Sequence, residues 1–139
     1  MAANTDPIFS SAPDVQFGSI ASGASANTAL DGTGTVTTVF TADATNGGFL
    51  QRLRVKAPSV STPTVMRIFI NNGSTNATAS NNSLFEEILI PTITATNVAS
   101  TISMEVPMSI ALPAGYKVNV CLGTSITGAV YVTAVGGKF

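Results

Sequence analysis

Two short apolar runs, bounded by Pro63 and Pro91, constrain the fold more than any other part of this sequence. Residues 64–70 and 84–90 are rich in β-branched and aromatic side chains, which fit a pleated sheet. Residues 71–83 between them are only Asn, Ser, Thr, Gly and Ala, which tolerate turns and offer nothing large to bury. Prolines at both margins fit strand ends. This stretch therefore predicts two β-strands joined by an exposed loop.

Further β-forming segments follow one another at short spacing along the chain, and none shows a helical apolar period. They cover residues 15–20, 35–42, 49–57, 102–106, 108–112, 116–122 and 129–135. About eight strands separated by turn residues predict an all-β protein, a single antiparallel β-sandwich of jelly-roll type. An immunoglobulin-type sandwich is disfavoured, because the chain has no Trp and one Cys.

Local patterns add detail to this prediction. Asn46-Gly47-Gly48 is typical of a hairpin turn between two neighbouring strands. Pro107 divides residues 102–112 into two short β runs. Tyr116, Val118, Val120 and Leu122 alternate with polar residues and predict a core-facing side of one strand.

The N-terminal residues 1–13 predict an extended arm, and residues 14–139 the sandwich domain. Within the arm, Ile8 and Phe9 form the one apolar pair between two prolines. The pair is either part of a frayed end or a strap that docks on a neighbouring subunit. Because the first residues lack the positive start and apolar core of a signal peptide, we expect synthesis and folding in a reducing cytoplasm.

The charge content points to association with other proteins. Charged residues are 9% of the chain, against about 25% in a typical domain, and the net charge is −1. A surface of Ser, Thr, Asn and Gly with little net charge repels its neighbours weakly. The chain lacks the basic patch expected of a nucleic-acid partner and an apolar run that would span a membrane.

The residue types argue against chemistry. The chain has no His, which removes the commonest general base and metal ligand. Cys121 is alone, and Glu86 and Glu87 are strand neighbours that point to opposite faces. The glycine pairs lack the strand–glycine–helix context of a phosphate loop. We therefore expect no catalytic residues, no metal site and no cofactor.

A row of basic residues on one predicted strand is the main candidate site. Arg52, Arg54 and Lys56 share one face, while Leu53 and Val55 share the other. The row is either a solvated face paired with acids such as Glu87 or Glu105, or a contact patch for an acidic partner surface. The polar loop 71–83 is likewise either a hairpin tip or a surface that hydrogen-bonds a partner.

Several stretches, taken together, resemble the small jelly-roll cement proteins, which decorate the heads of bacteriophages. They span residues 27–34, 36–41, 52–56, 67–74, 82–87, 112–118 and 132–137. The resemblance implies a non-enzymatic protein on the capsid exterior. It also implies a major capsid protein as partner and a homotrimer as the working unit, with a dimer as the second choice.

On this resemblance, Ile8, Phe9, Arg52, Arg54 and Lys56 are the capsid-contact candidates. The alternative function is the receptor- or glycan-binding head domain of a phage tail fibre or spike, which is also compatible with a trimeric β-sandwich.

Overall fold

The computed structural model describes residues 10–139, which form eight β-strands and one short 3-10 turn, Ala79–Asn81. The strands are β1 (Ala12–Ile20), β2 (Thr37–Thr41), β3 (Gly48–Lys56), β4 (Thr64–Asn71), β5 (Asn82–Ile90), β6 (Ser103–Leu112), β7 (Lys117–Leu122) and β8 (Val130–Lys138). The prediction of an all-β chain is confirmed.

The strands make two antiparallel four-stranded sheets, in the orders β1-β8-β3-β6 and β2-β7-β4-β5. The first strand pairs with the last, and the pairing continues inward: β1 with β8, β2 with β7, β3 with β6 and β4 with β5. A chain doubled back in this way and wrapped into two facing sheets is a jelly roll. The predicted sandwich of jelly-roll type is therefore confirmed.

The core lies between the two sheets and is built from alternate residues of the strands. Leu53 and Val55 of β3 and Val118 and Val120 of β7 are fully buried, as their alternation predicted. The largest other side chains buried in this core are Phe40, Leu50, Met66, Ile68 and Ile90. Burying a side chain of this size stabilises the fold by about 1.5–3 kcal/mol. The apolar runs of the sequence thus hold the two sheets together.

The predicted hairpin at residues 46–48 is wrong about pairing. A turn is present, since Gly47 donates its N–H to the Asp43 carbonyl at 3.1 Å and has φ +79°. The strands on either side, β2 and β3, belong to different sheets. Turn residues determine where the chain reverses, and the burial of both strands against the opposite sheet determines their partners.

The predicted break at Pro107 is also wrong, because β6 is one continuous strand. β6 lies at the edge of its sheet, where a residue without an N–H is tolerated. The irregularity falls next to the proline instead: the register with β3 shifts between Leu50 and Arg52, and Ser109 has φ +51°. A bulge beside Pro107 thus lets the strand continue where the sequence predicted a break.

The N-terminal end of the sandwich begins earlier than the sequence suggested. β1 starts at Ala12, so Ala12 and Pro13 of the predicted arm belong to a strand that pairs with β8. Ile8 and Phe9 lie outside the described residues, and their docking remains a prediction from the sequence.

Candidate functional site

The two outer faces of the sandwich differ, and this difference locates the candidate site. On the outer side of the sheet β2-β7-β4-β5, Asn119 and Cys121 alternate with core-facing residues and are nevertheless buried. Residues 21–36, here called the cover segment, lie against this sheet. The Asn27 N–H donates to the Leu122 carbonyl at 2.8 Å, and Arg67 Nη1 donates to the Asn27 carbonyl at 3.0 Å.

Asparagine amides hold the cover segment in place. Asn27 Nδ2 donates to the carbonyls of Thr33 and Thr35 at 2.8 and 2.9 Å, which closes the segment on itself. Asn76, in the loop between β4 and β5, donates to the carbonyls of Gly32 and Gly34 at 3.2 and 2.8 Å. The polar loop 71–83 is therefore more than an exposed hairpin tip, because one of its side chains hydrogen-bonds the cover segment of the same chain.

No other segment of residues 10–139 covers the outer face of the sheet β1-β8-β3-β6, and we call it the open face. The strand registers arrange its side chains in three cross-strand rows. They are Ser19–Tyr131–Lys56–Ser103, Phe17–Thr133–Arg54–Glu105 and Val15–Val135–Arg52–Pro107. The predicted cationic row of Arg52, Arg54 and Lys56 thus lies along the middle of this face. Its side chains point away from the core, whereas those of Leu53 and Val55 point into it.

An apolar cluster lies beside the cationic row, and sequence reasoning missed it. Phe17 is 81% exposed, Val15 57% and Tyr131 51%, and all three belong to β1 or β8. Alternation showed that Val15 and Phe17 share a face without showing which face points inward. The one sequence feature that could have identified the inward side of β1 is the glycine at position 18. The structure explains it: this side of β1 packs closely on β2, and a Cβ at Gly18 would lie 3.0 Å from the Thr38 carbonyl oxygen.

The charges of the open face are only partly compensated. Arg52 Nε lies 3.9 Å from Glu105 Oε1, too far for a hydrogen bond, and no residue of 10–139 accepts a hydrogen bond from this buried nitrogen. Lys56 donates to the Thr101 carbonyl. Among the described residues, none forms an ion pair with Arg54. An exposed ion pair of this kind contributes about 0–1 kcal/mol, so the row is available for other contacts.

Arg67, the next basic residue along the chain, is on the opposite sheet. Its Nε donates to Glu87 Oε1 at 2.8 Å across the β4–β5 pair, and its Nη1 donates to the Asn27 carbonyl. Arg67 therefore anchors the cover segment and does not extend the cationic row.

The remaining titratable groups with shifted pKa values have structural roles. The Thr33 hydroxyl and N–H lower the pKa of Asp31, and the N–H groups of Asn46 and Thr45 lower the pKa of Asp43. Burial raises the pKa of the Cys121 thiol, an effect that Arg67 partly offsets.

Within residues 10–139, no three or more His, Cys, Asp and Glu side chains come together in a way that would hold a metal ion. In the part of the chain that the structure describes, no helix has the length and apolar character needed to span a bilayer.

Comparisons with family models, with curated proteins and with solved structures found no match to this chain.

Proposed function

We propose that this chain is a structural protein of a bacteriophage virion, a cement protein that binds the outside of the head and bridges major capsid proteins. The observation that carries the proposal is the open face, where three cations lie beside exposed apolar side chains on a rigid sheet. Such a face suits adhesion to another protein, since aromatic residues and arginine are enriched at interfaces. The jelly-roll architecture and the sequence resemblance to cement proteins support the same function.

Mechanically, a cement protein acts by mass action. A protein that binds the assembled shell and not its separated subunits stabilises the shell by an amount that grows with the logarithm of its free concentration relative to its Kd. A homotrimer would contact several capsid subunits at once, so that modest individual contacts combine through effective concentration. The surface of this chain, with few charges and a net charge of −1, permits such close packing of like subunits.

The decisive experiment compares heads of the phage that encodes this chain, prepared with and without it. We expect heads that lack the protein to release DNA at a lower temperature and to regain the normal temperature when purified protein is added back. Equal release temperatures for both preparations would overturn the proposal.

The part played by the cationic row is tested by R52S/R54S, with Lys117→Ser on the opposite sheet as the matched control. We expect the double variant to occupy heads less than the wild type and the control to occupy them equally. Occupancy that is unchanged in R52S/R54S would exclude the row from binding.

One observation favours a second candidate, the receptor- or glycan-binding head domain of a tail fibre or spike. Phe17 and Tyr131 are exposed aromatic rings on one face, and sugar sites often use such rings as stacking surfaces. This alternative predicts binding to host cells or glycans and a position at the tail in labelled micrographs.

A further inference from the structure

The sandwich has four edge strands, and three of them are protected against pairing with another strand. β1 and β2 close on each other, since the Gln16 side-chain amide donates to the Thr41 carbonyl at 2.8 Å and accepts the Thr41 N–H at 2.9 Å. β6 contains Pro107, which has no N–H, and Ser109, whose φ is +51° beside a register shift. Prolines and bulges keep an edge from pairing. The remaining edge is β5.

β5 has a regular run along its free side. Residues 86–90 pair with residues 64–68 of β4 in continuous register, and the register shift beside Phe85 marks the start of the run. An edge strand of this kind presents backbone N–H and C=O groups on the side without a neighbour. The Glu87 N–H donates to the Glu86 carboxylate at 3.0 Å, as expected of an N–H on the free side.

The two sides of this run differ in chemistry. On the side that faces the other sheet, Glu86 lies opposite the buried Ile68, and no cation of the described residues forms an ion pair with it. On the outer side, Glu87 pairs with Arg67, and Leu89 is 65% exposed. A strand added here would therefore meet an unpaired carboxylate on one side and an apolar side chain on the other.

Asp14 on β1 also has no ion pair among the described residues. It accepts a hydrogen bond from Gln16, the side chain that joins β1 to β2, so its edge is closed. Within the described strands, an unpaired carboxylate and a free edge therefore coincide on β5.

A second copy of this chain is a poor source of the missing cation. All six Lys and Arg residues lie on the interior strands β3, β4, β7 and β8, so no edge strand, loop or terminal segment carries one. Pairing of two β5 strands would bring the glutamates of both copies together, and like charges across a strand pair are destabilising. The charge of β5 thus disfavours a copy of itself and favours a cationic strand of another protein.

We infer that residues 86–90 of β5 accept an extended, Lys- or Arg-containing segment of a partner protein as an added strand, with a cation opposite Glu86. Main-chain hydrogen bonds would supply affinity in this mode, and the alternate side chains specificity. The inference rests on the proposed function only for the identity of the partner, a capsid protein. Because β5 and the open face belong to different sheets, both can bind partners at the same time, and a protein that bridges subunits needs two such contacts.

A synthetic peptide of about nine alternating Lys and Val residues tests this inference on the full-length protein. Titrated to about 1 mM, it should bind with an affinity that falls as salt is raised. Amide NMR should show shifts concentrated at residues 86–90, with the Glu87 N–H newly protected from exchange.

Two comparisons separate strand pairing from simple charge attraction. Glu86→Lys should weaken peptide binding about 10- to 100-fold. Glu105→Lys makes the same change of charge on the obstructed edge β6 and should bind like the wild type. A peptide with N-methylated Val residues keeps every charge but loses the N–H groups that would face β5, and it should bind at least about 10-fold more weakly. Circular dichroism of each variant checks that the fold is intact.

Three results would overturn the inference: a Lys-Val peptide that does not bind, a Glu86→Lys variant that binds it as tightly as the wild type, or an N-methylated peptide that binds equally well. The proposed function is judged separately on heads. A protein that ignores the peptide but stabilises heads would refute the inference alone. A protein that binds the peptide through β5 but leaves head stability unchanged would refute the proposed function alone.

Discussion

Asparagine side chains connect the loops of this protein, a role that charged residues often share in other proteins. Asn27, Asn76 and Asn82 each donate to two backbone carbonyls. Amide groups suit this role because they donate and accept without the desolvation cost of a charge. The sequence predicted a polar loop at residues 71–83, but the carbonyls that Asn76 meets belong to a segment more than forty residues away.

Replacing Asn27 by Ala is expected to destabilise the fold by about 2–3 kcal/mol, since two carbonyls and the Ala29 N–H would lose their partners at a buried site. Urea denaturation would show this as a lower midpoint with an unchanged slope. Asn97→Ala, at an exposed position, is the control and should leave the midpoint in place.

Asp43 is expected to make the stability of the fold depend on pH in the acid range. Its pKa is lowered in the folded state from the ordinary value of 3.8, mainly by the N–H groups of Asn46 and Thr45. A depressed carboxyl pKa contributes stability that is present above the unfolded value and is lost as the pH falls through the folded value. We therefore expect the urea midpoint to decline below about pH 4, and to decline less in Asp43→Asn. An identical decline in both proteins would show that Asp43 contributes nothing.

At the scale of strands, burial and not apolar character separates structural residues from candidate contact residues. Leu53 and Phe17 are both large and apolar, but Leu53 is fully buried and Phe17 is largely exposed. The alternation in β3 allowed its inner face to be predicted, because charged residues marked the outer one. In β1, one side carries Gln16, Gly18 and Ile20 and the other carries Val15, Phe17 and Ser19. Each side mixes apolar with polar or small residues, so the pattern was ambiguous.

Phe17→Ser is expected to change the free energy of unfolding by less than about 0.5 kcal/mol, and Leu53→Ala to lower it by about 2–5 kcal/mol. Thermal and urea unfolding of the two variants measure the difference. A large loss in Phe17→Ser would mean that its ring stabilises the isolated subunit, which would weaken the case for the open face as a contact surface.

Strand existence was predictable from this sequence, and strand partnership was not. Proline at position 107 and the turn at residues 46–48 both suggested local arrangements that the structure replaces with a continuous edge strand and a crossing between sheets. The reason is that both decisions depend on the opposite sheet. A missing N–H matters only where a neighbouring strand requires it, and a turn joins a hairpin only where both arms remain in one sheet.

For the whole molecule, the pairing of first strand with last makes most contacts distant in sequence. Ala12 pairs with Lys138, and Thr37 with Val120. Folding is slow because the entropy cost of closing such long loops comes before the free energy gained when these strands pair. We expect refolding from urea to take about milliseconds to seconds, as for other β-sandwiches. Stopped-flow fluorescence of the two tyrosines would measure it, and microsecond refolding would contradict the expectation.

The same pairing brings the described N-terminal end of the chain and its C-terminal residue together. The Ser11 N–H donates to the Lys138 carbonyl at 2.6 Å, and the Phe139 N–H donates to the Gly47 carbonyl at 3.5 Å. A circular permutant is therefore within reach: a short linker joins Phe139 to Ser10, and new termini open at Val98, an exposed residue of the loop between β5 and β6. In such a protein β8 and β1 become consecutive, and a cargo fused at the new ends would project from the loop that carries Val98.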